Sequence, residues 1–259
     1  MSTTAPPYPK SNNLLAGKTV LVTAAAGSGI GFAAAKRCAE EGATVMISDV
    51  HEKRLNKALE SLNVSGQKHF AQTCNVTSQP EVDNLLASAT KSLGHIDVLI
   101  NNAGLGGTAN MVDMTDEQWS MVIDVSLTGT FRMTRAALKH MLPRGQGAII
   151  NNASVIGWRA QAGQSHYAAA KAGVMAMTRC VAMEAAQSGV RVNAVSPSLA
   201  MHAPLHRVTT KELLDELTAK EAFGRAAEPW EIANVMVFLA SDYASYLTGE
   251  TISASSQHP

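Results

Sequence analysis

The stretch Thr19-Val-Leu-Val-Thr-Ala-Ala-Ala-Gly27-Ser-Gly-Ile-Gly31-Phe-Ala-Ala-Ala-Lys36 reads as a short apolar strand over Thr19–Thr23, a glycine turn and a helix over Ile30–Glu41. Glycines there permit a tight turn and close approach of the backbone to a ligand. The helix behind them offers free N–H groups and a positive dipole end to a pyrophosphate. Gly27, Ser28, Gly29, Ile30 and Gly31 are therefore a candidate phosphate cradle. Asp49, twenty residues after Gly29, ends the next strand, over Thr44–Ser48. A carboxylate in that place accepts from adenosine ribose hydroxyls and repels a 2′-phosphate, which favours NAD(H) over NADP(H). Asp49 also suits an N-cap for the helix starting at Glu52, and His51, Lys53 and Arg54 are the cations within reach of a phosphate.

Outward from this unit the pattern repeats. Further strands are expected at His69–Thr73, Val98–Asn101, Ala148–Asn152, Arg191–Val195 and Thr251–Ala254. Helices are expected at Glu52–Ser61, Gln79–Leu93, Asp116–Met141, Gln164–Ser188 and Pro229–Leu239. Strands alternating with helices of this length imply right-handed βαβ crossovers and a doubly wound parallel sheet, an α/β fold in one domain over 14–259. Residues 1–13, rich in Pro, Ser, Thr and Asn, read as a flexible arm without a signal-type apolar region. Residues 201–227 hold no strand and one short helix near Lys211–Lys220, after strand six, where an open sheet binds ligands; they are the candidate substrate lid.

A second constellation stands later in the chain. Tyr167 and Lys171 are four residues apart on an alanine-rich helix, one turn apart on one face, where an ammonium lowers a phenol pKa. Ser154 follows strand five and is suited to hold a carbonyl or alcohol oxygen against that phenol. The turns Asn75-Val76 and Asn101-Asn102-Ala103-Gly104 also end strands, the first suited to adenine and the second to close backbone passage along a cofactor.

Composition excludes several classes. Of 259 residues, 46% are hydrophobic, ample for one large core, and 21 basic against 21 acidic residues leave no net field for nucleic acid or an anionic membrane. Cys38, Cys74 and Cys180 have neither metal-ligand spacing nor an even count, so they read as reduced, mostly buried thiols, with no metal and a cytoplasmic location. No stretch is long and apolar enough to span a membrane.

Taken in order, the glycine turn at 27–31, Asp49, Asn101-Asn-Ala-Gly104, Ser154, Tyr167-x-x-x-Lys171, Arg191-Val-Asn-Ala-Val195 with Pro197, and Leu239-Ala-Ser-Asp with Leu247-Thr-Gly249 resemble the short-chain dehydrogenase/reductase family from about Leu15 to Ile252. The resemblance implies a Rossmann-type sheet of seven strands, a nicotinamide cofactor, and interconversion of a secondary alcohol and a ketone. It implies that Tyr167 is the general acid or base, that Ser154 positions the substrate oxygen, and that Lys171 binds the nicotinamide ribose. It places Asn102, Ala103, Gly104, Asn75, Val76 and Pro197 along the cofactor. It also implies a homotetramer with a four-helix contact built from the long helices Asp116–Met141 and Gln164–Ser188.

Four departures stand out. Ser126 occupies the position of the asparagine that helps hold a water in a proton relay to the lysine; serine serves if the relay uses the main-chain carbonyl, and proton transfer is impaired if it needs the amide side chain. The usual Thr-Gly-x-x-x-Gly-x-Gly is one residue shorter than Thr23 to Gly31 and has glycine where this chain has alanines. Pro197-Ser198-Leu-Ala-Met-His202 replaces Pro-Gly and a carboxamide-contacting threonine; His202 either takes that role or is a lid residue. The tail Ser253-Ala-Ser-Ser-Gln257 replaces Asp-Gly-Gly.

Trp158 and Arg159 follow Ser154 and suit a bulky ring bearing an anionic or CoA-linked arm, or else pack under the loop and against a neighbouring subunit. The departures together resemble a subgroup acting in bacterial steroid ring degradation, on a hydroxy-indane propionyl-CoA. Alternatives are a 3-oxoacyl-CoA or 3-oxoacyl-carrier-protein reductase and, in another class, a non-catalytic nucleotide-binding regulatory protein.

Overall fold

Seven strands run parallel in one sheet: β1 (Thr19–Val22), β2 (Thr44–Asp49), β3 (Phe70–Thr73), β4 (Val98–Asn101), β5 (Gly147–Asn152), β6 (Val190–Pro197) and β7 (Thr251–Ala254). Their spatial order is β3-β2-β1-β4-β5-β6-β7, as seen in a computed structural model that describes residues 4–63, 66–202 and 210–256. The order reverses between β1 and β4, which pair in register at Val20↔Val98 and Val22↔Ile100. A crevice opens beyond the carboxyl ends of strands at such a reversal. The glycine turn follows β1 and Asn101–Gly104 follows β4, so both line it.

Strand alternation places the helices. Val20, Val22, Val98 and Ile100 face one layer, formed by α1 (Ile30–Glu40), α2 (Glu52–Leu62) and α8 (Pro229–Ala240). Leu21, Leu99 and Ile149 face the other, formed by α3 (Gln79–Leu93), α5 (Gly129–Met141) and α6 (Ser165–Ala185). Every one of these strand residues is buried, each stabilising the fold by roughly 1.5–3 kcal/mol. Period two on strands buried from both sides is what makes the strands read as continuous apolar runs.

Two differences from the expected elements matter. The helix expected over Asp116–Met141 is α4 (Asp116–Ile123), a π-helical turn at Asp124–Thr128, and then α5. The wider turn sits where Val76 wedges against the helix: a Cβ on Gly129 would lie 2.6 Å from Val76 Cγ2. A single π turn adds one residue per turn and leaves hydrophobic periodicity almost unchanged, so the sequence does not announce it. Residues 8–13, expected as part of a flexible arm, are held at the end of α1. Tyr8 donates to Glu40 at 2.6 Å and meets Trp230 edge-on at 5.3 Å, while the amides of Asn12 and Leu14 donate to the buried Glu41, each at 3.0 Å. Glu41 also pairs with the buried Arg37.

Candidate active site

Glycine is obligatory at position 31 for a steric reason. A Cβ there would lie 2.4 Å from the Ala24 carbonyl oxygen and 2.4 Å from Asn102 Nδ2. The loop is tied across the crevice: Thr23 Oγ1 accepts from the amides of Asn102 (3.0 Å) and Ala103 (3.1 Å), and Asn102 Nδ2 donates to Ala24 O (3.1 Å). Ala24 adopts φ 50, left-handed, a backbone conformation that costs an alanine roughly 1–2 kcal/mol and that glycine takes freely. Gly29 caps α1 and has no side chain of its own to satisfy the amides of the first turn. We expect Gly31→Ala to raise the KM for a nicotinamide cofactor more than about tenfold and to cost about 1–3 kcal/mol of stability, because the Ala24 carbonyl is backbone and cannot turn aside. Cofactor titration and thermal unfolding check both effects.

Asp49 closes the adenosine side. Its carboxylate accepts from the amides of Ala26 (3.2 Å) and His51 (3.0 Å), with Arg54 at 4.0 Å. Burial raises its pKa, opposed by the Ala26 amide and the Arg54 charge. The N-cap of α2 is His51 and makes no side-chain bond, so Asp49 is not the helix cap; it steadies the glycine loop instead. Asn75 accepts from the amide (3.0 Å) and hydroxyl (2.9 Å) of Thr77 in an Asx turn, and Val76 is buried against Gly129.

The proton-transfer set is assembled by β5 and α6. Ser154 stands extended just past β5, its hydroxyl near enough to the Tyr167 phenol to draw down the phenol's pKa. Lys171 is 2% exposed; its ammonium donates to Asn152 O at 2.6 Å and lies 5.6 Å from the centre of the Tyr167 ring. Gly104 permits this approach, since a Cβ on it would sit 3.3 Å from Nζ. Burial pushes the Lys171 ammonium down to about 8 and the Tyr167 phenol up, with the Ser154 hydrogen bond drawing the phenol back. The lowering of the phenol by the ammonium expected from sequence is not found: removal of the phenolate from water raises the phenol, and the contribution that lowers it comes from Ser154, not from Lys171.

Ser126 lies in the π turn, fully buried. Its hydroxyl donates to Leu105 O (3.0 Å) and accepts from Leu105 N (2.9 Å), and its carbonyl accepts from Thr130 (2.9 Å). An asparagine amide likewise offers both a donor and an acceptor, so Ser126→Asn should keep kcat within about tenfold. Ser126→Ala orphans both Leu105 groups and should cost about 1–3 kcal/mol in thermal unfolding.

A cavity of about 690 Å³ opens over Ser154 and Tyr167, lined also by Pro197, Arg159 and His202. His202 stands beside the glycine loop, 3.9 Å from where a Gly29 Cβ would be. Trp158 is 43% exposed and does not line the cavity. The 3₁₀ turn Val155–Gly157 carries it past the pocket as Gly157 packs tightly on α6. The far wall is α7 (Lys211–Lys220), whose Leu213 and Leu217 face in beside Glu216 and Lys220. These four were missed as individual site residues, although the lid assignment covers them; residues 203–209 of that lid lie outside the described residues. Also missed was Asn152, which holds Lys171 through its carbonyl and donates to Asn102 at 2.9 Å. Its signal was present: the twin pairs Asn101-Asn102 and Asn151-Asn152 end adjacent strands in register.

This geometry has known counterparts. A family model described as enoyl-(acyl carrier protein) reductase, within the short-chain dehydrogenase/reductase family, matches residues 24–256. The chain is a short-chain dehydrogenase/reductase. As such it is an oxidoreductase of a family that binds a nicotinamide cofactor. It is 59% identical over 258 residues, 98% of each chain, to (5R,7aS)-5-hydroxy-7a-methyl-1-oxo-2,3,5,6,7,7a-hexahydro-1H-indene-carboxyl-CoA reductase of Mycobacterium tuberculosis. It resembles the crystal structure of a short chain dehydrogenase from Mycobacterium smegmatis at TM-score 0.88 and 52% identity, covering 99% of each chain. It also resembles a single-substitution variant of actinorhodin polyketide ketoreductase with NADPH at TM-score 0.86 and 35% identity, covering 91% of this chain and 95% of that one. The seven-stranded sheet and family membership expected from sequence are both found. Among the described residues no helix is long and apolar enough to cross a membrane.

Proposed function

We propose that this short-chain dehydrogenase/reductase interconverts a ring ketone and its secondary alcohol on a CoA thioester, using NAD(H). The observation that carries the proposal is the pairing of Ser154, Tyr167 and Lys171 with a cavity of about 690 Å³ whose far wall is the Leu213–Leu217 face of α7. An apolar wall suits a hydrocarbon ring, Arg159 and Lys220 suit an anionic arm, and the likeness to the indane-type CoA reductase supports both.

The crevice fits a dinucleotide: position 31 tolerates no side chain, α1 starts without a side-chain cap, and Asp49 ends β2. When bound, the nicotinamide supplies the hydride to the carbonyl carbon, or removes it from the alcohol. Ser154 holds the substrate oxygen, and in reduction the Tyr167 hydroxyl gives that oxygen its proton. Lys171, fixed by Asn152 O, holds the ribose and stabilises the phenolate; the Ser126 carbonyl would accept from a water that passes a proton to the Lys171 amine and on to the phenolate. Asp49 repels a 2′-phosphate and sets the preference for NAD(H), with Arg54 a weaker opposing charge because it already faces Asp49.

Steady-state turnover tests the reading. The ring-ketone CoA ester with NADH should exceed acetoacetyl-CoA with NADPH in kcat/KM by more than about tenfold. Equal turnover of acetoacetyl-CoA with NADPH would favour a 3-oxoacyl reductase. We further propose a homotetramer, supported by the exposed Trp119, Met121, Phe131 and Met183 on α4, α5 and α6. Light scattering at the monomer mass would contradict it.

A further inference from the structure

Two departures from the family pattern, Ser198 after Pro197 and the serine-rich tail, meet at one residue. Glu221 ends α7 and is 4% exposed. One carboxylate oxygen accepts from Ser198 Oγ at 3.1 Å and Ser256 Oγ at 2.6 Å, and the other from Leu199 N at 3.3 Å. The next amide, Ala222 N, donates to Ser256 O at 3.2 Å. The end of β6, the end of the cavity helix and the C-terminal tail are thereby joined at a single buried carboxylate.

Burying a carboxylate costs more than burying an apolar side chain. What it adds is direction. An apolar contact tolerates sliding, whereas donors from Ser198, Leu199 and Ser256 at fixed angles hold one position of the helix end. That position sets how far Leu213 and Leu217 stand from Tyr167 across the cavity.

We propose that Glu221 is a positioning residue that clasps α7 to the C-terminal tail, and that the clasp adjusts the cavity to a ring-sized acyl group. The specificity half of this rests on the reading of the site as a ring-ketone CoA reductase; the clasp itself does not. A short linear acyl group reaches Ser154 and Tyr167 without filling the space out to α7, so its turnover is indifferent to the clasp.

Ser256→Ala removes one donor without altering any residue that lines the cavity. It should raise the KM for the ring-ketone CoA ester about tenfold, with kcat within twofold and kcat/KM for acetoacetyl-CoA within twofold. Glu221→Ala, at a residue that itself lines the cavity, should raise the ring-ester KM further, and its readout of the clasp is faster amide hydrogen exchange across 211–221. Glu221→Gln should restore both, because its amide oxygen accepts from Leu199 N and its nitrogen donates to the two serine oxygens. An unchanged ring-ester KM in Ser256→Ala, or an equal loss on both substrates, would overturn the specificity role. If the wild-type protein turns over no ring ester, the functional reading fails on its own. The clasp is then judged by exchange alone: faster exchange over 211–221 in Ser256→Ala supports it, and unchanged exchange overturns it.

Discussion

Tyr167→Phe should lower kcat for the ring ketone by about 10²–10⁴-fold, the range associated with loss of a positioned general acid. Cofactor affinity should stay within about twofold. The variant removes the phenol oxygen, the atom proposed to meet Ser154 and the substrate, while the ring, which Lys171 approaches at 5.6 Å from its centre, is kept by phenylalanine. The split is diagnostic: steady-state kinetics would show kcat and kcat/KM falling together, as expected for an interaction made in the transition state. Retained kcat would remove Tyr167 from the chemistry. It would also revive the non-catalytic nucleotide-binding alternative if the wild-type protein proved equally inactive.

Lys171→Met should stabilise the free protein while disabling it. Burial disfavours the ammonium, taking it from 10.5 to about 8, a cost of about 3 kcal/mol to the folded state at neutral pH. The sign follows from proton binding. Below pH about 8 folded and unfolded chains both hold the proton, and the full cost is present. Between about 8 and 10.5 the folded chain releases it first, so wild-type stability rises with pH across that window. Methionine removes the cost at every pH but leaves Asn152 O without its 2.6 Å donor, a loss of about 1–2 kcal/mol. The net expectation is a gain of about 1–2 kcal/mol at pH 7 that shrinks toward pH 10, together with a fall in kcat/KM of at least 10²-fold. Thermal unfolding of both proteins at pH 7 and 10 checks it; a lower Tm for the variant at pH 7 would contradict the desolvation account.

Much of this was legible in the chain because the informative features are local and steric. Val20-Leu21-Val22 alternates between two helical layers, and Gly31 admits no Cβ, so strand and turn were readable from residue type alone. Tyr167 and Lys171 share a helix face by spacing. What escaped reading depends on contacts distant in sequence or on single-residue changes of backbone path. The π turn holding Ser126 was hidden because Val76, far earlier in the chain, packs against Gly129. Trp158 was read either as a substrate wall or as packed under its loop, and a 3₁₀ turn of three residues carries it to the surface, away from the cavity. Asp49 was read as a possible helix cap, yet the bond that matters runs back to Ala26, in the turn with the extra residue. The clasp at Glu221 joins positions 198, 221 and 256, and no local pattern relates those three.

The most direct measurement of the central claim is label transfer in a single turnover. The protein is mixed with NADH carrying deuterium at the transferable C4 position and with the ring-ketone CoA ester in ordinary water, and the product is read by mass spectrometry. We expect one deuterium on the carbinol carbon of the product, with wild-type protein completing the transfer at least 10²-fold faster than Tyr167→Phe. Product without deuterium, or equal rates in the two proteins, would contradict hydride transfer with Tyr167 as the proton donor.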